Sequence, residues 1–317
     1  MSKLLLLYKE STLWFKIVIF MVFLLVSVHT YKIINDSNNN DYANYEGFDT
    51  LNESFSVKNN SNLYDDFYSG IYDQLVYNPI RTEYELGKII YNTKVTPESI
   101  LLDVGCGTGH LEHGFNHLGY KNIIGIDKSP DMIKQSLATY PKYKYYVADI
   151  MDISGKPFTM TKFTQIMCLY FTIYYIENKN KFFKNCYDIL LPGGTLIVHV
   201  VDRNNFDPIL PSGNPFYILS PQSYAKERIT TTNVDFYGYD YKAKFNLHNN
   251  KNIAIFEEKI KDKNTNKVRI NEHTLYMDTI YTILNIARSV GFIIHSKLDM
   301  IDCGYDYQYL YIFTKPS

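Results

Sequence analysis

One stretch, Leu101-Leu-Asp-Val-Gly-Cys-Gly-Thr-Gly109, constrains this chain more than any other. An apolar run closed by an acid and three alternating glycines reads as a buried strand, Ile100 to Val104, entering a turn that keeps side chains out of a ligand's way. A helix starting near Gly109 would leave its first N–H groups free for a carboxylate or phosphate. The dinucleotide fingerprint needs glycine at the sixth position from Gly105, where His110 stands, and no Gly-Lys-Ser or Gly-Lys-Thr follows to make a phosphate loop.

Three landmarks follow in order. The run Asn122 to Ile126 ends at Asp127, near the spacing at which an acid meets a ribose. Ser129-Pro130-Asp131-Met132 reads as a helix start, with Ser129 as the cap and Pro130 at the first helical position. A strand Lys144 to Ala148 ends in Asp149-Ile150, and a fourth, Phe163 to Leu169, precedes Leu190-Leu-Pro-Gly-Gly194 and a fifth, Thr195 to Val201. Asp103-x-Gly105-x-Gly107-x-Gly109, with these landmarks behind it, resembles motif I of the class I S-adenosylmethionine-dependent methyltransferases of the small-molecule type. The resemblance covers about residues 64 to 317 and implies S-adenosylmethionine as cofactor. It implies that Asp127 accepts from the ribose hydroxyls, Asp149 from the adenine amino group, and that the Ile150 N–H meets the ring. Asp103, Gly105, Cys106, Gly107, Gly109, Lys128, Met132 and Leu169 would complete the cofactor site. Metal-dependent members of the family carry an acid at the end of the fourth strand; here Leu169 or Tyr170 stands there, so no metal is expected.

Strands alternating with helical stretches (109 to 117, 129 to 140, 178 to 190) predict an α/β fold with a doubly wound, Rossmann-like, seven-stranded sheet. After the fifth strand the pattern changes. A proline-rich loop from Asp202 leads into Val234 to Leu247, Asn252 to Ile260 and Lys267 to Tyr276, an inserted antiparallel β meander of three strands within about residues 202–276. Phe236, Tyr237, Tyr239, Tyr241 and Phe245 make it aromatic, suited to a sugar face, a cationic amine or plain packing. A helix Asp278 to Val290, stopped by Gly291, and two closing strands end the domain.

Residues 1–31 carry an apolar run, Leu13 to Val28, broken by Lys16. It predicts a single-pass N-terminal transmembrane anchor, with a cleaved signal peptide or an interfacial helix as the other readings. Lys3, Lys9 and Lys16 before the core of the run favour a cytosolic N-terminus, and three N-glycosylation sequons lie beyond it, at Asn35, Asn52 and Asn59. The side of the membrane stays open. Residues 32–63, rich in Asn, Ser and Asp, read as a disordered linker, and 64–317 as the methyltransferase domain. A net charge of −1 and five arginines give no basic surface of the kind nucleic acids require. Cys106, Cys168, Cys186 and Cys303 form no disulfide pattern, and His110, His113 and His117 read as a solvated helix face rather than a zinc site.

The function expected is methyl transfer from S-adenosylmethionine to N or O of a small-molecule or glycan-like acceptor, with an oligomer contact through the meander left open. Tyr174, Tyr175, His199 and His273 are the candidates for a general base or for holding the acceptor. Two alternatives stand beside it. Tyr175-Ile-Glu-Asn-Lys179 fits the Tyr-x-x-x-Lys pair of an NAD-dependent oxidoreductase or epimerase, and a non-catalytic scaffold would keep the same fold.

Overall fold

The computed structural model describes residues 12–38, 55–60, 62–210, 225, 227–236 and 238–317. The chain divides into two units, Met1–Glu46 and Gly47–Ser317. In the first, the apolar run forms helix α1 (Leu13–Asn38). Among the described residues no helix is long and apolar enough to cross a membrane, so the expected transmembrane anchor is not supported. The run is 16 residues with a lysine inside it, short of the roughly 20 a span needs, and the helix continues into the polar stretch Tyr31 to Asn38. Lys3, Lys9 and residues 39–54 lie outside the described residues.

The second unit holds two sheets. The larger combines β2 (Leu101–Val104), β3 (Ile123–Asp127), β4 (Lys144–Val147), β5 (Phe163–Cys168), β6 (Leu190–Val201), β11 (Ile293–Asp299) and β12 (Gln308–Thr314), in the order β11-β12-β6-β5-β2-β3-β4. The five strands from β2 to β6 are mutually parallel, and β12 runs antiparallel against β6. The seven-stranded doubly wound sheet matches the expectation. Period-two alternation sends Leu196, Val198 and Val200 to one face and Ile197 to the other, so each face has its own core. Helices α6 (Lys179–Ile189) and α7 (Ile280–Val290) cover the first with Phe182, Phe183, Ile283 and Ala287. Helices α3 (Pro79–Thr93) and α4 (His110–His117) cover the second with Leu86, Ile89, Leu111 and Phe115. The Leu190-to-Gly194 segment, expected as a turn, is the start of β6 with a register irregularity against β5. All four cysteines are buried and free.

The smaller sheet corrects two readings. It contains β1 (Phe55–Asn59), β7 (Thr231–Phe236), β8 (Tyr239–His248), β9 (Ile253–Asp262) and β10 (Val268–Tyr276), in the order β1-β10-β9-β8-β7. The insertion contributes four strands because the run from Val234 to Leu247 is a hairpin turning at Gly238, where φ is +83°. Tyr237 and residues 211–224 of the proline-rich loop lie outside the described residues. The end of the supposed linker is ordered as well. β1 pairs in parallel with β10, and the Asn60 side chain bonds both the N–H and the C=O of Thr274, at 2.9 and 2.8 Å. An edge strand held by backbone bonds needs little apolar content, which is why its composition looks like that of a tether.

Helix α2 (Asp66–Val76) packs Phe67, Tyr68, Ile71 and Leu75 against Tyr241, Ala243 and Ile260 of this second sheet. Asp65 caps it by accepting from the Tyr68 N–H. Arg269 of β10, 1% exposed, holds that entry in place. Its guanidinium donates to both Asp65 oxygens (2.8 and 2.9 Å), to the Leu63 carbonyl (2.7 Å) and to Asn271 Oδ1 (2.7 Å). Helix α5 (Pro130–Thr139) starts at the Ser129 cap read from the sequence, and α7 ends at Gly291 with φ +111°.

Candidate active site

The chain lays down β2, β3 and β4 to one side and returns to the other for β5 and β6, so β2 and β5 flank the switch point where open α/β sheets bind ligands. At the C-terminal ends of these strands lies a cavity of about 1050 Å³, slightly larger than the ~300–1,000 Å³ usual for small-molecule sites. The glycine loop forms one wall. The N–H groups of Gly105 and Cys106 donate to the Ile126 carbonyl at 2.8 and 3.0 Å. Gly107 donates to Asp127 Oδ2 at 3.1 Å, and Ser129 to Oδ1 at 2.8 Å. Asp127 is thus aimed by the loop beside it. Gly105 has φ +76°, and a Cβ there would lie 2.6 Å from Thr172 Oγ1, so only glycine fits.

Every residue expected at the cofactor lines this cavity except Gly109. Gly109 caps α4 and faces Tyr145 and Ser136, a packing position rather than a ligand position. Asp149 accepts from the Met151 N–H (2.9 Å) and forms an ion pair with Lys128 Nζ (3.2 Å). Three further features shape the walls. Tyr72 and Asp73 of α2 reach the loop, Asp73 accepting from Thr108 Oγ1 (2.5 Å) and bonding His110 Nε2 (2.8 Å). His110 also stacks on Tyr77, with centroids 3.7 Å apart, so it is a wall residue rather than part of a solvated face. Among the described residues no group of three or more His, Cys, Asp or Glu is placed to hold a metal ion.

The second feature is a buried carboxyl pair. Burial pushes Asp103 up to about 8, with the charges of Glu85 and Asp127 adding to it. Glu112, on α4 and fully buried, is pushed well above the ordinary range by burial and then by Asp103. Two such neighbours hold at least one proton between them near neutral pH. The third is Arg81 on α3, buried and lining the cavity. Its guanidinium lies 4.1 Å over the Tyr170 ring and 3.4 Å from Tyr305 Oη, with Glu85 at 3.8 Å, beyond hydrogen-bonding distance. Burial pushes Glu85 itself up to about 7. A cation so poorly matched by its neighbours suits an incoming anion. A lone arginine on a helix gives no spacing signal, which is why sequence reasoning passed over it.

Two of the four candidate bases, Tyr175 and His273, line the same cavity. Tyr174 does not: it is fully buried, and its hydroxyl bonds the Val201 backbone. Nor does His199, which is fully buried and held neutral by burial and the charge of Arg81, its pKa pulled down to about 3. Lys179 is turned into the protein, donating to the Ile176 and Tyr276 carbonyls and pairing with Asp278 at 3.1 Å. The Tyr175–Lys179 pair of the oxidoreductase alternative is therefore not assembled at the cavity.

Tyr175 and His273 belong to a chain of hydrogen bonds. Tyr64 Oη donates to Tyr175 Oη (2.8 Å), Tyr175 Oη meets His273 Nδ1 (2.5 Å), and His273 Nε2 meets Glu258 Oε2 (2.8 Å). Glu258, on β9 and fully buried, also accepts from Tyr241 Oη (2.6 Å) and Asn271 Nδ2 (3.0 Å). Burial alone would raise its pKa, but His273 and these donors hold it below the usual carboxylate range. An ionised Glu258 can only accept, so His273 Nε2 donates to it. In the neutral tautomer that leaves Nδ1 as the acceptor for Tyr175 Oη.

Residues 102–198 match the methyltransferase domain family. The protein arginine N-methyltransferase 1 of Dictyostelium discoideum is 26% identical over 205 residues, covering 59% of this chain and 53% of that one. The chain spans about half the length of the curated relatives it matches, or less. Among solved structures, the CcbJ methyltransferase of Streptomyces caelestis superposes with a TM-score of 0.62 at 11% identity, covering 81% of this chain and all of that one. The sugar N-methyltransferase KedS8 of Streptoalloteichus sp. ATCC 53650 gives 0.53 at 20% identity, covering 81% and 94%. These structural likenesses carry the fold. The match over residues 102–198 to the methyltransferase domain supports S-adenosylmethionine as the cofactor.

Proposed function

We infer that this protein transfers the methyl group of S-adenosylmethionine to nitrogen or oxygen of a small-molecule or glycan-like acceptor. The observation that carries this reading is one cavity of about 1050 Å³ lined by the glycine loop and Asp127 together with Tyr175 and His273. It has room for a nucleoside cofactor and a second, modest molecule. Segments from α2, the region after β5 and the second sheet all contribute to its walls, which favours a compact acceptor over a folded protein surface. The solved sugar N-methyltransferase with the same fold points the same way.

The residues present fit the cofactor. Asp127 is held by two backbone N–H groups and faces the cavity, suited to paired ribose hydroxyls. Gly105 and Gly107 keep that wall clear, and Arg81 offers a cation to a carboxylate. Asp149 and the backbone at Ile150 would take the adenine edge. When bound, the cofactor supplies a methyl group on a sulfonium, an electrophile that needs no covalent enzyme nucleophile. The protein's own contribution is to align the acceptor's lone pair and exclude water.

The test is transfer of a labelled methyl group from S-adenosylmethionine to a panel of amines, amino sugars, phenols and glycans, with a peptide and protein panel alongside. Label on a small acceptor, lost in Asp127→Ala, is the expected outcome. Label confined to the peptides or proteins would contradict the proposed acceptor class.

A further inference from the structure

The hydrogen-bonded chain on the second sheet has more order than packing requires. It runs in one direction, Tyr64 to Tyr175 to His273 to Glu258, every donor matched to an acceptor and the last acceptor a buried carboxylate. Burying a carboxylate costs desolvation energy that its three donors must offset, and such arrangements concentrate at functional sites. The carboxylate is sealed in while its far end is not: Tyr64, Tyr175 and His273 border the cavity and Glu258 does not. Glu258, Asn271 and His273 come from the two adjacent strands β9 and β10, which fix their spacing. Arg269, through Asn271 and through its hold on Leu63 and Asp65, fixes the segment that carries Tyr64.

We propose that Glu258, His273 and Tyr175 form a proton relay that takes the proton from the acceptor, with Tyr64 orienting the Tyr175 hydroxyl. This rests on the methyl-transfer reading above. The proton leaves the acceptor's O–H or N–H for Tyr175 Oη as the proton of Tyr175 passes to His273 Nδ1. The acceptor keeps the electron pair of the bond that breaks, and that pair forms the new bond to the methyl carbon as the carbon–sulfur bond of the co-substrate breaks and leaves its pair on sulfur, now a neutral thioether. The positive charge comes to rest on the His273 imidazolium, against the Glu258 carboxylate 2.8 Å away. Tyr175 is the catalytic residue in this scheme; His273 and Glu258 act through it, as a base and its orienting anion do in acyl-transfer enzymes. The acceptor class that follows is one that must lose a proton to react, a hydroxyl or a protonated amine.

A chromogenic phenol reads this without turnover. The full 317-residue chain, saturated with S-adenosylhomocysteine, is titrated with 4-nitrophenol at a pH about one unit below the probe's own pKa, and the bound phenolate is followed by its visible absorbance. The wild type is expected to enrich the phenolate at least about fivefold over the free probe. Tyr175→Phe and His273→Asn should abolish that enrichment, and Glu258→Gln should reduce it, all with unchanged circular dichroism. Tyr175→Phe keeps the ring, and so separates loss of the relay from loss of the fold. Enrichment that survives in His273→Asn, a probe bound only as the neutral phenol, or no binding to the loaded wild type would each overturn the relay. Failure of the wild type to bind S-adenosylhomocysteine, seen before the probe is added, would instead remove the methyl-transfer reading and the relay with it.

Discussion

Asp127 shows how a single side chain is made into a binding group here. Two backbone donors, from Gly107 and Ser129, fix its carboxylate. Its remaining acceptor capacity faces the cavity. Asp127→Ala removes hydrogen bonds to a charged acceptor and should weaken cofactor binding by about 3 kcal/mol, on the order of a hundredfold; unchanged affinity by calorimetry would take Asp127 out of the site. Asp103 makes a different statement, about pH. Its pKa is raised from 3.8 to about 8 in the fold, so the unfolded chain gives up this proton near pH 4 and the folded chain keeps it to about pH 8. The folded state binds more protons across that window, so this group's contribution to stability falls as pH rises through it and levels off above it. Urea denaturation of the wild type should therefore lose stability between pH 5 and 7.5 relative to Asp103→Asn, by at most about 1.4 kcal/mol per pH unit. Parallel pH profiles would show that the carboxyl is not held protonated.

At the scale of elements, the segment Leu63–Asp65 and strand β10 are joined by one guanidinium, and the aromatic wall depends on that joint. Arg269→Met removes the Leu63 carbonyl's donor and leaves Asp65 only the Tyr68 N–H and Lys58, and should cost about 3 kcal/mol in urea denaturation; a loss below about 1 kcal/mol would mean that the wall is held by packing alone. This joint also marks where the sequence stops being legible. The glycine loop, Asp127, the Ser129 cap and the α/β alternation are local patterns, a few residues long, and each stands in the structure at the place its pattern indicates. The Glu258–His273–Tyr175 chain is not local: its members lie on β9, on β10 and after β5, and no spacing connects them. Tyr175 and His273 were open to suspicion from residue type, as were Tyr174 and His199, and only tertiary placement separates the first pair from the second. Strand β1 escaped for a related reason, since its pairing partner lies more than 200 residues further along the chain. The apolar run near the N-terminus gives no span among the described residues, because hydropathy counts apolar residues without the length and continuity that a span requires.

For the second unit as a whole, two sheets share one cavity. The parallel sheet provides the cofactor wall at its switch point, and the antiparallel sheet, joined by β1 and covered by α2, provides the wall where an acceptor would sit. A ligand bound between them should stabilise both together. S-adenosylhomocysteine at a hundredfold excess over its dissociation constant is worth about 2.7 kcal/mol of folding stability. That should appear as a rise of about 5–10 °C in the thermal midpoint, and a transition that splits in two would show that the sheets unfold separately. The measurement that bears most directly on the central claim is calorimetric titration of the chain with S-adenosylmethionine, S-adenosylhomocysteine and NAD in parallel. Micromolar binding of the first two with no heat from NAD is the expected result; binding of NAD alone, or of none of the three by a folded sample, would contradict the assignment of this cavity to methyl transfer.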